Sequence, residues 1–221
     1  MRLRLIAISL TILLCSAAAG QIDFGSGSGY KYLKGSAAAS LSSDWMTSEF
    51  NDSEWSQGNA PFRYGDGTGG VVLTDMMNNY STLYMRSTFN AFSTDRIKTL
   101  RFRVNYDDGF VIWVNGSRVM SRNAPSSLSY NGLATANHES GTFETFYLDS
   151  ADVTLVEGTN LLCIQAFNVS MNSSDFFIDI ALDAALSLPE VPETLPLNFD
   201  HEAGFCETPF DLVISSGQAG Y

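Results

Sequence analysis

The chain has 221 residues, 45% hydrophobic and 16% charged, which is enough apolar material for one sizeable core and the beginning of a second, and too much for a largely disordered chain. With 24 Asp+Glu against 12 Lys+Arg its net charge is −12. That balance repels phosphate backbones and anionic lipid surfaces, so it argues against nucleic acid and peripheral-membrane partners.

Residues 1–20 read as a signal peptide. Arg2 and Arg4 form a basic start, Leu5 to Leu14 are almost wholly apolar, and Ala17-Ala18-Ala19 offers a small-residue cleavage site. The apolar run is too short to span a bilayer, so the expectation is a secreted or cell-surface protein with no membrane span after cleavage. Acylation at Cys15 is disfavoured because Leu14 stands where such sites need a small residue. Cleavage removes two cations and leaves the chain more acidic still. It also leaves Cys163, in a predicted strand, and Cys206, in a separate tail, which do not make a disulfide framework. Cys163 is read as a free, buried thiol.

Residues 21–187 carry the main domain. Gly25 to Gly29 is flexible in composition, and Tyr30 to Leu33 opens the ordered part as a strand. Trp45 to Asp66 is dense in aromatics and turn formers; Trp45, Phe50, Trp55, Phe62 and Tyr64 are irregularly spaced, which favours a loop anchored to a sheet edge over a binding strip. Gly65 to Gly70 lacks the Lys-Ser/Thr pair and strand-to-helix setting of a phosphate loop. Leu83 to Phe92 alternates as a strand, and Ile97 leads into the next.

Arg101 to Met120 predicts three strands joined by two tight turns, Asp107-Asp108-Gly109 and Asn115-Gly116, because Asx-Gly pairs supply the backbone conformations of two-residue hairpins. Asn123 to Asn137 is a loop and a candidate binding rim. Phe143 to Leu148, Val153 to Leu155, Leu161 to Phe167 and Phe176 to Leu186 complete the strands, with a turn at Glu157 to Asn160 and a loop from Asn168 to Asp175. Short strands at this spacing, with almost no helix, predict an all-β sandwich.

Residues 188–197 hold Pro189, Pro192 and Pro196 and read as an extended linker. Residues 198–221 contain one alternating run, Phe210 to Ile214, which cannot bury a face alone; the expectation is the truncated start of a second β-sandwich.

In order, these residues resemble bacterial extracellular jelly rolls of the galactose-binding-like type. The resemblance covers residues 30–186 and rests on Trp45, Phe50 through Gly67, Tyr84-x-Arg86-x-x-Phe89, Asp107 to Gly109, Asn115-Gly116, Gly158-x-Asn160 and Asn168 with Ser173 to Asp175. Arg63 departs from it, standing where the pattern has Gly before Tyr64. The tail resembles the start of the β-sandwich at the C-termini of chitobiase and β-hexosaminidase-like glycosidases, through Phe199, Gly204 and Thr208-Pro209. Together they imply a non-catalytic accessory module, carbohydrate-binding, within a larger secreted or surface protein. Its partners would be a glycan or cell-surface polysaccharide and neighbouring domains. The alternatives are a structural or adhesive spacer without a glycan, or an accessory part of a glycoside hydrolase or CotH-like kinase encoded beyond this chain.

The chemistry in the sequence agrees with that reading. The only histidines, His138 and His201, lie on separate predicted loops and cannot build a His-rich metal cluster or a Ser-His-Asp triad. Asp107 and Asp108 are adjacent, whereas glycosidase carboxylates face each other across a cleft, so they are read as a turn. No organic cofactor motif occurs. The resemblance implies one structural calcium, for which Asp107, Asp108, Asn168, Ser174 and Asp175 supply hard oxygen donors. Candidates for sugar contact are Tyr64, Tyr106, Trp113 and Tyr130 as stacking faces, with Asp66, Asp107 and Asn168 as hydrogen-bonding partners.

Overall fold

A computed structural model describes residues 22–186, 197–199 and 214–216. The expected signal peptide, most of the expected linker, His201, Cys206 and most of the Phe210 to Ile214 run lie outside the described residues. The chain divides into two compact units, Met1–Leu186 and Ser187–Tyr221. Described by itself, the second unit contributes β12 (Leu197–Phe199) paired antiparallel with β13 (Ile214–Ser216). Among the described residues no helix is long and apolar enough to cross a membrane.

The first unit is all-β, in two sheets. One has the order β2 (Ser56–Asn59), β1 (Gly29–Lys34), β5 (Thr82–Ala91), β10 (Gly158–Phe167), β7 (Gly109–Val114), β8 (Ser117–Arg122). The other has the order β4 (Val71–Val72), β3 (Phe62–Tyr64), β11 (Phe176–Leu186), β6 (Ile97–Asp107), β9 (Glu144–Asp149). The pairings are antiparallel except β3 with β4.

Period-two alternation explains the sandwich. Leu100, Phe102, Val104 and Tyr106 of β6 face inward and meet Leu83, Met85, Ile112, Val114, Leu162 and Ile164 of the opposite sheet in one buried core. Burying such side chains stabilises by about 1.5 to 3 kcal/mol each. The first sheet also buries its outer face. There Trp45, Trp55, Tyr84, Trp113 and Cys163 form a second cluster, with the Trp45 and Trp113 rings 5.3 Å apart. Arg86 fastens this cover, donating to Asp52 at 2.7 Å and to the backbone carbonyls of Trp45 and Thr47. Trp45 to Asp66 is thus an anchored segment, but it is more than the loop its turn-rich composition predicts, since β2 and β3 lie within it.

Asn115 and Gly116, with φ of 49° and 81°, form the predicted hairpin turn between β7 and β8. Asp107-Asp108-Gly109 is not a hairpin. β6 and β7 belong to different sheets, and Asp108 alone connects them. Gly109 does not adopt positive φ; its missing side chain admits the carbonyl of Asn123, which a Cβ would approach to 2.9 Å. The reason is the core: Tyr106 and Phe110, ring centroids 4.7 Å apart, both pack into the interlayer space, so the chain must step from one layer to the other between them. The turn expected at Glu157 to Asn160 is largely absorbed into β10, while Val153 to Leu155 forms no strand.

Candidate metal centre

Strand ends assemble the site. β3 and β6 finish, and β11 begins, at one end of the sandwich: Tyr64 pairs with Phe176 and Asp107 with Phe177. Each strand therefore delivers an acidic residue or its loop to the same place. Asp66 follows β3, Asp107 closes β6, and Asp175 precedes β11. Glu139 arrives on the segment before β9, which is tied down by Gly141 N–H donating to Asn105 Oδ1 at 2.9 Å.

Ligand atoms of Asp66, Glu139 and Asp175 lie within 4.8 Å of one another. Asp107, outside this group of three but near enough to feel its charge, is 2% exposed, and its carboxylate makes no hydrogen bond or ion pair among the described residues. Burial, followed by the charges of Asp108, Asp175, Glu139 and Asp66, pushes its pKa up to about 8. Among the described residues no Lys or Arg forms a salt bridge with any of these four carboxylates.

A second orphan stands close by. Asn168, 1% exposed, donates through Nδ2 to the Tyr64 hydroxyl at 3.0 Å, while its Oδ1 has no partner. The Tyr64 hydroxyl donates to the Ser173 carbonyl at 2.7 Å. Burial raises the Tyr64 pKa; the Asn168 hydrogen bond opposes that, and Asp175, Asp107 and Asp108 add to it.

Three clustered carboxylates, a buried fourth that feels their charge and no salt-bridging Lys or Arg among the described residues fit a hard divalent ion bound through oxygen. Asp66, Glu139 and Asp175 would hold it, and the unpartnered Asn168 Oδ1 and the Asp107 carboxylate are further oxygens at this end of the sandwich. His138 does not compete, since Nε2 meets Glu144 at 2.6 Å, Nδ1 meets the Tyr106 carbonyl at 3.0 Å, and the ring stacks on Tyr106.

Of the residues expected from sequence as metal donors, Asp175 belongs to this cluster, Asp107 feels its charge from a buried position, and Asn168 keeps an unpartnered oxygen. Asp108 serves another purpose. Its Oδ1 accepts from His138 N–H at 2.9 Å and its Oδ2 from Val169 N–H at 2.7 Å, so it positions two loops rather than offering free oxygens. Ser174 Oγ is directed to Asp175 Oδ1 at 3.4 Å. Asp66, read as a sugar contact, sits among the acidic groups, and Glu139 was missed because nothing in the spacing of its loop marks it.

Local backbone needs explain the flanking residues. Gly65 has φ +75°, and a Cβ there would come within 2.5 Å of the Ser174 carbonyl, so only glycine lets the Asp66 loop close onto Asp175. Arg63 holds the same loop, donating from Nε to the Gly69 carbonyl at 2.8 Å and from Nη1 to the Asp66 carbonyl at 3.3 Å.

The four candidate stacking aromatics separate sharply. Tyr64, Tyr106 and Trp113 are buried with their rings in packing contact, whereas Tyr130 is 40% exposed. Tyr130 borders a cleft of about 340 Å³ on the outer face of the first sheet, shared with Ser42, Ser43, Trp45, Tyr84 and Gln165.

No family model and no curated protein matches this chain. Solved structures do. A β-glucuronidase of Bacteroides uniformis is 16% identical over 75% of this chain and 18% of its own, with a TM-score of 0.49. A glycosyl hydrolase family 2 member from Bacteroides cellulosilyticus is 19% identical over 80% of this chain and 21% of its own, with a TM-score of 0.47. A β-glucuronidase of an uncultured Clostridium is 12% identical over 91% and 34%, with a TM-score of 0.49. The chain spans between 18% and 34% of the length of these proteins. At such identities and scores no chemistry transfers from them, and the site is read from its own residues.

Proposed function

We propose that this chain is a non-catalytic accessory module of a larger exported protein, a galactose-binding-like jelly roll whose loops are gathered by calcium and whose outer cleft takes carbohydrate. The observation that carries it is the cluster of Asp66, Glu139 and Asp175, whose ligand atoms lie within 4.8 Å of one another and whose charge falls on the buried carboxylate of Asp107, an arrangement that a bound cation would relieve. The role is organisational. Calcium would bind three loops to each other at the end of the sandwich, and Asp107 and Asp108 would not work as an acid/base pair, since Asp108 is committed to backbone N–H groups.

The carbohydrate part of the reading is supported by the cleft beside Tyr130, which offers an open aromatic ring next to hydroxyl and amide groups. Calorimetric titration of the chelator-treated chain with calcium chloride, then with neutral and acidic glycans, tests both parts. Binding of one calcium, and glycan binding weakened by Tyr130→Ala, are expected; absence of any calcium heat and of any change in unfolding temperature removes the calcium reading.

One observation favours a second reading, a spacer with no glycan ligand: Tyr64, Tyr106 and Trp113 are all buried, and of these only Trp113 borders the cleft at Tyr130. Silence across the glycan panel with an intact calcium response would leave the spacer.

A further inference from the structure

The cover over the first sheet leaves part of that face bare. Along β5, Tyr84, Arg86 and Thr88 alternate onto the outer face. Tyr84 lines the cleft at Tyr130, Arg86 is clamped under the Trp45 segment, and Thr88 stands beyond it, about 14 Å from Tyr84. Two adjoining hollows of about 430 Å³ each open there, and both have Arg86, Thr88 and Leu161 in their walls. One reaches the edge strand β2, the other the segment before β10.

The strand registers put the lining side chains on one face. Gln57 pairs with Lys31, Lys31 with Arg86, and Arg86 with Cys163 of the outer cluster, so this row faces out. Two residues along, Asn59 pairs with Gly29 and Thr88 with Leu161, and the period of two keeps them on the same face. Gly29 stands between Asn59 and Thr88 without a side chain; a Cβ there would meet only Asn59 Oδ1, at 3.7 Å. The result is a groove that crosses β2, β1, β5 and β10 over about 14 Å, beside a wall formed by Thr47, Ser48 and Asp52 of the cover.

Charge in this groove is matched internally. Asp52 accepts from Lys31 Nζ and from Arg86 Nε, each at 2.7 Å, and Arg86 donates its remaining nitrogens to the carbonyls of Trp45 and Thr47. What stays open is neutral. The exposed Gln57 amide and Thr88 hydroxyl make no hydrogen bond among the described residues, and Asn59 donates through Nδ2 to the Gly27 carbonyl while its Oδ1 accepts none. Amides and hydroxyls both donate and accept, so their complement is an uncharged ligand whose groups also do both, as sugar hydroxyls do.

We infer that this groove is a subsite for a neutral glycan, an extended chain that lies across the four strands and is held through its hydroxyls by Gln57, Asn59 and Thr88. This rests on the carbohydrate reading above and adds to it a second surface and a substrate class. An uncharged peptide is disfavoured, because peptides add to a sheet along a strand edge, whereas this groove runs across the strands and presents side chains.

The test is calorimetric titration of the full mature chain, with calcium present, against neutral β-linked hexasaccharides of glucose, mannose and galactose, against oligogalacturonate and against a Gly-Ser hexapeptide. A Tyr130→Ala background isolates the groove from the cleft. Expected are binding of a neutral hexasaccharide that does not change between 50 and 300 mM salt, and at least about tenfold weaker binding when Gly29→Leu fills the groove or Gln57→Ala/Thr88→Ala strips its hydrogen-bonding groups. Gly29 has no positive φ and open surroundings, so Gly29→Leu should keep the parent unfolding temperature. If the groove variants leave affinity unchanged, the groove inference falls while the general carbohydrate reading stands. If oligogalacturonate binds more tightly and weakens with salt, or the hexapeptide binds as well, the neutral-glycan assignment is lost. No binding of any glycan overturns both.

Discussion

Asp108 accepts the backbone N–H of His138 at 2.9 Å, and its second oxygen accepts that of Val169 at 2.7 Å. One buried side chain thereby ties the loop carrying Glu139 to the loop carrying Asp175, at the point where the chain changes sheets. Asp108→Asn keeps the shape but sets an NH2 group against one of the two N–H donors. The expected cost is about 2 kcal/mol in urea unfolding, together with weaker calcium binding. A variant as stable as the parent would mean that the tie is not needed.

Calcium should act on stability through the carboxylate cluster. At a hundredfold excess over its dissociation constant, a ligand specific to the folded state adds about 2.7 kcal/mol, or roughly 5 to 10 °C for a domain of this size. Asp107→Asn should separate the two terms. It removes a carboxyl whose ionisation burial and its acidic neighbours penalise, so the unfolding temperature in EGTA should rise, while the increment from calcium should vanish. A calcium increment that survives the substitution would assign the ion elsewhere.

Gly65 and Gly69 make a matched pair. Their φ values are +75° and +76°, yet a Cβ at Gly65 would strike Ser174 and Asp175, whereas one at Gly69 meets nothing within 4 Å. Gly69→Ala should show only the cost of the left-handed backbone, about 1 to 2 kcal/mol. Gly65→Ala should cost more and should also reduce calcium affinity, because it displaces Asp66 from Asp175. Equal effects in thermal unfolding and calcium titration would contradict the contact argument.

The cover over the first sheet should loosen in acid. Burial pulls the Asp52 pKa upward, but hydrogen bonds and charge from Lys31 and Arg86 outweigh it, and the net shift is downward. A carboxylate lowered in the folded state contributes stability that is fully present above its unfolded value of about 3.9 and is lost as pH falls through the folded value. Asp52→Asn should therefore cost about 2 to 4 kcal/mol near neutral pH, leaving Arg86 buried without its carboxylate, and much less at pH 2. A difference between variant and parent that is constant over pH 2 to 6 would exclude this origin.

Much of the sandwich was legible because alternation is local. Phe102 and Val104 in β6, or Ile164 in β10, declare their inward face within a few residues, and Asn115-Gly116 encodes its turn by itself. Asp107-Asp108-Gly109 misled for the opposite reason: whether two strands pair or part into separate layers depends on where Tyr106 and Phe110 pack, which no dipeptide reports. The same limit applies to the metal centre. Asp107, Asn168 and Asp175 could be named as oxygen donors, but Glu139 joins them only through the Asp108 tether, and Asp66 only through the close approach that Gly65 permits.

Cys163 lies beneath the Trp45 cover, with its thiol pKa pushed by burial to about 12. Such a thiol is inert until the cover lifts, so its labelling rate counts openings of one particular segment. In a Cys206→Ser background, an alkylating reagent would time the detachment of the Trp45 segment independently of global unfolding, and Asp52→Asn should speed that clock while leaving the end of the sandwich that carries Asp66, Glu139 and Asp175 closed.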